Sequence, residues 1–221
     1  MASQGIIKHP SAAQANPAII ARLRTIAVAL LSDNMHRNRG SVGLRPYHGG
    51  GPLAGTAVTV RTRGGDNLAV LRAYDFCRPG DVLVIDAGGD VTNAVFGGIM
   101  AFGAETMGLA GMIVDGAIRD VAEIGARNFP VFARGVNHRG PYKDGPGEIN
   151  GPVCIGGMTV NPGDIVVGDQ DGLCAFPQAM AESVIEKALA QHAKEEATMA
   201  AIREGRWDRS FVDALEARCM N

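Results

Sequence analysis

Between residues 79 and 136 three apolar runs alternate with segments of helical periodicity, and this rhythm narrows the possible folds more than any other feature of the chain. "PGDVLVIDAGG" (79–89) reads as a turn, a fully apolar strand and a glycine stop, as expected of a strand covered on both faces. "NAVFGGIMAFGAETMGLAG" (93–111) predicts a helix from about 94 to 107, and "MIVDGAI" (112–118) a second buried strand. A strand, a helix and a strand within about 35 residues make a crossover unit with a parallel pair, for which the right-handed form is the rule. "RDVAEIGARN" (119–128) adds a short helix and "PVFARGV" (130–136) a third strand, so the middle of the chain is α/β.

"PAIIARLRTIAVALL" (17–31) carries Ile19, Ile20, Leu23, Ile26, Ala27 and Leu30 on one stripe, which predicts a single helix opened by Pro17. After a glycine-rich stretch, "TAVTVRT" (56–62) predicts a strand, and "GDNLAVLRAYDFC" (65–77) a helix capped by Asp66 or Asn67. "GPVCIGGMTVNPGDIVVGDQDGLCAFP" (151–177) breaks into short β segments between Gly, Pro and Asp turns. Residues 178–204 predict a long helix, amphipathic at Met180, Val184 and Ala188 but mostly polar or small further on, and so expected to pack on a neighbouring subunit. No repeat or linker divides residues 1–221, which are expected to form one domain.

With 46% hydrophobic residues in 221, the chain can bury a sizeable core. Its net charge of -2, with both signs interspersed, argues against nucleic acid and membrane surfaces as partners. No apolar run approaches the roughly 20 residues of a membrane span, and the N-terminus lacks a basic-then-apolar signal pattern, so a cytoplasmic location is expected. Cys77, Cys154, Cys174 and Cys219 form no CxxC, so each is expected to be a small buried hydrophobe, without disulfide or zinc. The histidines at 9, 36, 48, 138 and 192 are dispersed, so a metal here would take oxygen ligands, favouring Mg²⁺ or Mn²⁺. Walker A, GxGxxG and Gly-x-Ser-x-Gly patterns are absent, which argues against phosphate, dinucleotide and serine-hydrolase chemistry.

One stretch carries candidate chemistry. In "VDGAIRDVAEIG" (114–125), Arg119 and Asp120 stand at the carboxyl end of a buried parallel strand and the start of the next helix, the edge where ligands of α/β sheets collect. Glu123 shares the face of the first helical turn with Asp120. The plain alternative is that both acids only complement the helix dipole while Arg119 is solvated. Gly97 and Gly98 in "FGGIMA" (96–101) would let backbone amides approach a small carboxylate; the plain alternative is helix–strand packing.

Gly98, twenty residues, Arg119-Asp120, two residues and then Glu123 resemble the Gly-x20-Arg-Asp-x2-Glu/Asp pattern of the RraA-like proteins and the related class II pyruvate aldolases. The likeness continues through "GTAVTV", "GGDN", "PGDVLVIDA", "GLAGMIVDGAIRD", "FPVFARG" and "VNPGDIVVGDQDGLCAFP", covering roughly residues 20 to 200. It implies a three-layer ββα sandwich similar to a swivelling phosphohistidine-type domain, in trimers or hexamers with sites between subunits. It further implies that Asp120 ligates a divalent metal, Mg²⁺ or Mn²⁺, and that Arg119 contacts the pyruvyl oxygen. The amides of Gly98, Ile99 and Met100 would hold the pyruvate carboxylate, and Glu195, from a neighbouring subunit, would hold water on that metal beside a solvated Glu196. The 4-hydroxy-4-methyl-2-oxoglutarate and 4-carboxy-4-hydroxy-2-oxoadipate aldolases carry Asp where this chain has Gly98, whereas members that regulate ribonuclease E lack the intact Arg-Asp pair.

The expected activity is thus a lyase that forms pyruvate enolate, as an aldolase on 4-hydroxy-2-oxo acids or an oxaloacetate decarboxylase, with Arg119, Asp120 and Glu123 catalytic. The alternative is a non-catalytic regulator of ribonuclease E. No glycine-rich nucleoside loop supports a methyltransferase.

Overall fold

The computed structural model describes residues 5–37 and 40–219. A short strand β1 (Ile6–Lys8) precedes two helices, α1 (Pro17–Leu23) and α2 (Val28–Asp33), where the apolar spacing predicts one. The helix breaks at Ala27, which is extended (ψ 139°), and the first amide of α2, on Val28, donates to Asp169 Oδ2 at 2.8 Å. That cap comes from 141 residues away, so local periodicity carries no trace of it.

Next come β2 (Arg45–Pro46), β3 (Leu53–Thr62) and α3 (Leu68–Ala73), whose start is capped by Asp66: its Oδ1 accepts the Leu68 N–H at 2.9 Å. The predicted rhythm follows as β4 (Asp81–Asp86), β5 (Ala94–Phe96), α4 (Gly98–Thr106), β6 (Gly111–Ile118), α5 (Val121–Gly125) and β7 (Val131–Val136). The expected helix over 94–107 is corrected at its start, because Ala94 to Phe96 are buried and pair in parallel with Ala117 and Ile118, leaving the helix to begin at Gly98. Beyond lie β8 (Gly147–Ile149), β9 (Val153–Ile155), β10 (Met158–Val160), β11 (Ile165–Asp169), β12 (Gly172–Phe176), α6 (Ala181–Arg203) and α7 (Phe211–Cys219).

The main sheet runs β1-β8-β3-β4-β6-β7-β2, with β4, β6 and β7 parallel, β5 extending the edge of β6, and the β11–β12 pair joined to the first half of β3. On one face Leu83, Ile85, Met112 and Val114 meet α3, α4 and α5 through Val70, Ala101, Ala104 and Ile124. On the other, Val82, Val84, Ile113 and Phe132 pack on the β9–β10 hairpin and on Val166, Leu173 and Ala175 of β11 and β12. These are the ββα layers expected of the chain. The far side of β11 and β12 is covered by α1, α2 and the first half of α6, through Leu23, Leu31, Val184 and Ile185. Among the described residues no helix is long and apolar enough to cross a membrane.

The strands are not wholly apolar, as β4 alone shows with buried Asp81 and Asp86. Arg61, Asp86 and Asp115 are register partners on β3, β4 and β6, and Arg134 on β7 completes a row across four strands on the hairpin face. Asp115 accepts from Arg134 Nε at 2.5 Å and from the Gly156 N–H at 2.8 Å, while Asp86 accepts from the N–H groups of Gly88 and Cys154. Two buried carboxylates thus fasten the hairpin to the sheet with their lone pairs satisfied.

Only Cys174 is the fully buried cysteine expected of all four; Cys77 is partly buried, Cys154 faces outward from β9 between buried Val153 and Ile155, and Cys219 lies on α7, which is exposed throughout. His48 is a core residue, its Nδ1 3.2 Å from the donating Val131 N–H and its Nε2 3.0 Å from the Gly51 carbonyl.

Candidate functional site

The ends of β5, β6 and β7 meet at one sheet edge. Arg119 N–H donates to the Phe96 carbonyl and Asn137 N–H to the Ile118 carbonyl, both at 3.0 Å, so Gly97, Arg119 and Asn137 leave the sheet side by side. Asp120 follows in the left-handed region at φ 59°, ψ 36°, a conformation costing a non-glycine residue of order 1 kcal/mol and concentrated at functional sites.

That backbone turn aims Asp120 away from its own helix. Its carboxylate does not cap α5; Oδ2 accepts the Gly98 N–H of α4 at 2.9 Å and lies 3.7 Å from Arg119 Nε. The negative charge therefore faces the positive end of a second helix, which the dipole-only alternative for α5 does not describe. With the Gly98 amide taken, the Ile99 and Met100 amides of the first turn remain for a ligand.

Both glycines are explained by close approach. A Cβ at Gly97 would stand 2.7 Å from Asp120 Oδ2 and 3.1 Å from Arg119 Cγ. A Cβ at Gly98 would stand 2.9 Å from the carboxyl carbon of Glu123, so the Glu123 carboxylate occupies the space a side chain at 98 would fill. Glu123 also pairs with Arg127 at 3.3 Å, and Arg127 with Glu105 at 2.9 Å. Arg119, Asp120, Glu123 and the start of α4 thus come together; their side chains are 43%, 44% and 52% exposed in the case of the three charged residues, open to a ligand from outside.

Glu195 is not brought to this group within one chain. It sits on α6, its Oε1 accepting from Gln191 Nε2 at 2.8 Å, and lines a groove of about 390 Å³ with Ile26, Leu30 and His192. Glu196 is exposed beside it. Among the described residues, no three His, Cys, Asp or Glu side chains of one chain converge as a complete metal cage.

The loop after β7, to which no residue pattern in the sequence points, borders the same group. A Cβ at Gly140 would lie 3.1 Å from Arg119 Nη1, so "NHRGPY" (137–142) forms the wall against which the guanidinium ends. The available signal was its place at the carboxyl end of the third parallel strand.

A family model described as "RraA-like: Aldolase/RraA" matches residues 28–174. A protein of Halalkalibacterium halodurans named "Putative 4-hydroxy-4-methyl-2-oxoglutarate aldolase" is 42% identical over 193 residues, 86% of this chain and 91% of the relative. Among solved structures, Streptomyces coelicolor RraAS2, described as an unusual member of the RNase ES inhibitor RraA family, superposes with a TM-score of 0.78 at 25% identity, covering 85% of this chain and 98% of that one. The RNA-processing inhibitor RraA from Thermus thermophilis superposes with a TM-score of 0.63 at 30% identity, covering 68% and 92%.

Proposed function

The chain belongs to the RraA-like family, and from that premise we propose that it is a metal-dependent lyase passing through pyruvate enolate, an aldolase on 4-hydroxy-2-oxo acids of the 4-hydroxy-4-methyl-2-oxoglutarate type that also decarboxylates oxaloacetate. The observation that carries this reading is the hydrogen bond from the Gly98 amide to Asp120 beside Arg119, which joins open helix amides, a fixed cation and two carboxylates at one edge.

The donor set suits a hard cation. Asp120 and Glu123 present carboxylate oxygens at a half-exposed position, the ligand type of Mg²⁺ and Mn²⁺, which complete their shells with water and substrate. These two residues, with Glu195 of a neighbouring subunit, would hold the metal, which when bound supplies Lewis acidity toward a 2-oxo group.

The chain's own groups do the rest. The Ile99 and Met100 amides take the substrate carboxylate and Arg119 donates to the 2-oxo oxygen. In aldol cleavage the 4-hydroxyl gives its proton to solvent water at this open edge, C4 becomes a carbonyl, and the C3–C4 electron pair forms the C2–C3 double bond of the enolate. Charge gathers on the oxygen that Arg119 faces, where a guanidinium fixed in advance is most effective. Protonation at C3 gives pyruvate. Oxaloacetate loses CO₂ by the same electron flow.

A shared site in a trimer or hexamer is part of the proposal. Ile99 at 88% and Phe102 at 55% exposure leave apolar surface on α4 beside the site, and the second half of α6 is exposed around Glu195. The competing reading, a regulator of RNA processing, is favoured by the descriptions of two structural neighbours.

Pyruvate release from oxaloacetate separates the two. It should vanish in excess EDTA, return with Mg²⁺ or Mn²⁺, and be lost in Asp120→Asn and Arg119→Lys while circular dichroism is unchanged. Full activity in EDTA would sink the lyase mechanism. Mixing inactive Asp120→Ala and Glu195→Ala subunits should restore some activity if sites are shared.

A further inference from the structure

The loop that ends against Arg119 is held from both flanks. The Arg139 carbonyl accepts from the Ala94 N–H at 2.8 Å, and the Gly140 carbonyl from Asn93 Nδ2 at 2.7 Å. Asn137 donates through Nδ2 to the Val91 carbonyl at 2.9 Å and accepts the Arg139 N–H at 3.0 Å. Arg139 therefore has both backbone polar groups committed and its backbone fixed, yet no carboxylate pairs with its guanidinium among the described residues. Lys143, four residues on, is likewise outside the ion pairs of the described residues, and His138 precedes Arg139. The nearby acids are otherwise engaged, Asp90 by Thr92 at 2.6 Å and Asp144 by Arg63 at 3.7 Å.

Beside this loop opens a cleft of about 590 Å³, lined by Val91, Thr92, Val136, Asn137, His138 and Arg139. It is a shallow, solvent-open depression whose rim carries the Arg139 and His138 side chains. Arg139 directly precedes Gly140, the residue against which the Arg119 guanidinium ends.

We propose that Arg139 is a specificity-determining residue that receives the second carboxylate of a dicarboxylic 4-hydroxy-2-oxo acid, with His138 beside it. The inference rests on the lyase reading and adds to it the group that separates dicarboxylic from monocarboxylic substrates. A guanidinium matches a carboxylate through two parallel N–H donors, which an ammonium does not reproduce. Arg119 is committed to the reacting end, so a second anionic group on the substrate needs its own cation.

The test compares Arg139→Ala and Arg139→Lys with the wild-type protein. Calorimetry with Mg²⁺ reads the binding of pyruvate and of 2-oxoglutarate. The expected result is a wild-type preference for 2-oxoglutarate that falls about 10- to 100-fold in Arg139→Ala, recovers partly in Arg139→Lys, and leaves pyruvate affinity unchanged. Turnover of 4-hydroxy-4-methyl-2-oxoglutarate and of 4-hydroxy-2-oxopentanoate, read on the same proteins, should show a raised KM for the dicarboxylate alone. No wild-type preference, or an equal change for both ligands, overturns the assignment of Arg139. Binding that behaves as expected without cleavage of either substrate overturns the lyase reading and leaves the carboxylate receptor standing.

Discussion

Gly98→Ala separates stability from chemistry at a single methyl group. Gly98 begins α4 without a positive φ, so alanine fits its backbone and should stabilise the helix by about 0.5–1 kcal/mol. The new Cβ would stand 2.9 Å from Glu123 Cδ and 3.2 Å from its Oε1, inside van der Waals contact, so the Glu123 side chain must swing away. It would forfeit its 3.3 Å pair with Arg127, an interaction between half-exposed groups worth about 0.2–1 kcal/mol, while Arg127 keeps Glu105 at 2.9 Å. The two changes nearly cancel, and the urea midpoint should hardly move. If Glu123 helps to hold the metal, however, its displacement should weaken metal-dependent turnover about 10- to 100-fold. Pyruvate release from oxaloacetate, titrated with Mn²⁺, reads this directly. Gly98→Asp, which puts a new carboxylate into the same space, should recover part of the loss. Wild-type metal dependence in Gly98→Ala would refute the role given to Glu123, and a loss of several kcal/mol in stability would refute the reasoning about its freedom to move.

Asp115→Ala should cost about 3 kcal/mol in urea unfolding, since it strands Arg134 and the Gly156 amide; that figure lies at the low end for a broken buried pair because Arg134 is 31% exposed. Wild-type stability in this variant would mean the row of charges is ornamental. Burial, reinforced by Asp169, pushes the Cys174 thiol up to about 12, and burial, reinforced by Asp81, does the same for Cys77. Below pH 9 both states hold these protons. Above it only the unfolded chain releases them, so stability should fall by about 1.4 kcal/mol per pH unit per thiol until the folded-state values are reached. Urea midpoints from pH 8 to 10.5 should show that decline, and Cys174→Ala should roughly halve its slope, leaving the share of Cys77.

What was legible in the sequence was whatever neighbouring residues decide among themselves. β4, β6 and β7 follow from their apolar runs, and Arg119-Asp120 from its place at a strand's end. Features set by distant partners were not: the break before α2 depends on Asp169, and the strand character of Ala94 to Phe96 depends on β6 lying alongside. The same limit hid the Gly98–Asp120 hydrogen bond, which needs a left-handed Asp120, and the contact of Gly140 with Arg119. Cys154 was misjudged because alternation along a three-residue strand is too short to reveal which side faces out.

The row from Arg61 through Asp86 and Asp115 to Arg134 also bears on how the edge that carries Arg119 is assembled. Side chains alternate faces along a strand, so sliding β6 by one residue would drive Asp115 into the apolar layer beneath α4 and α5 and pull Val114 out of it. Such a misaligned chain would carry an unpaired buried charge, a penalty far larger than the difference between two equally apolar alignments. The strands of this sheet are rich in interchangeable Val, Ile and Ala, which by themselves discriminate poorly among offsets. The charged row therefore favours one alignment of β3, β4 and β6 over its one-residue neighbours. That alignment fixes where β6 ends, and so where Arg119 emerges from the sheet.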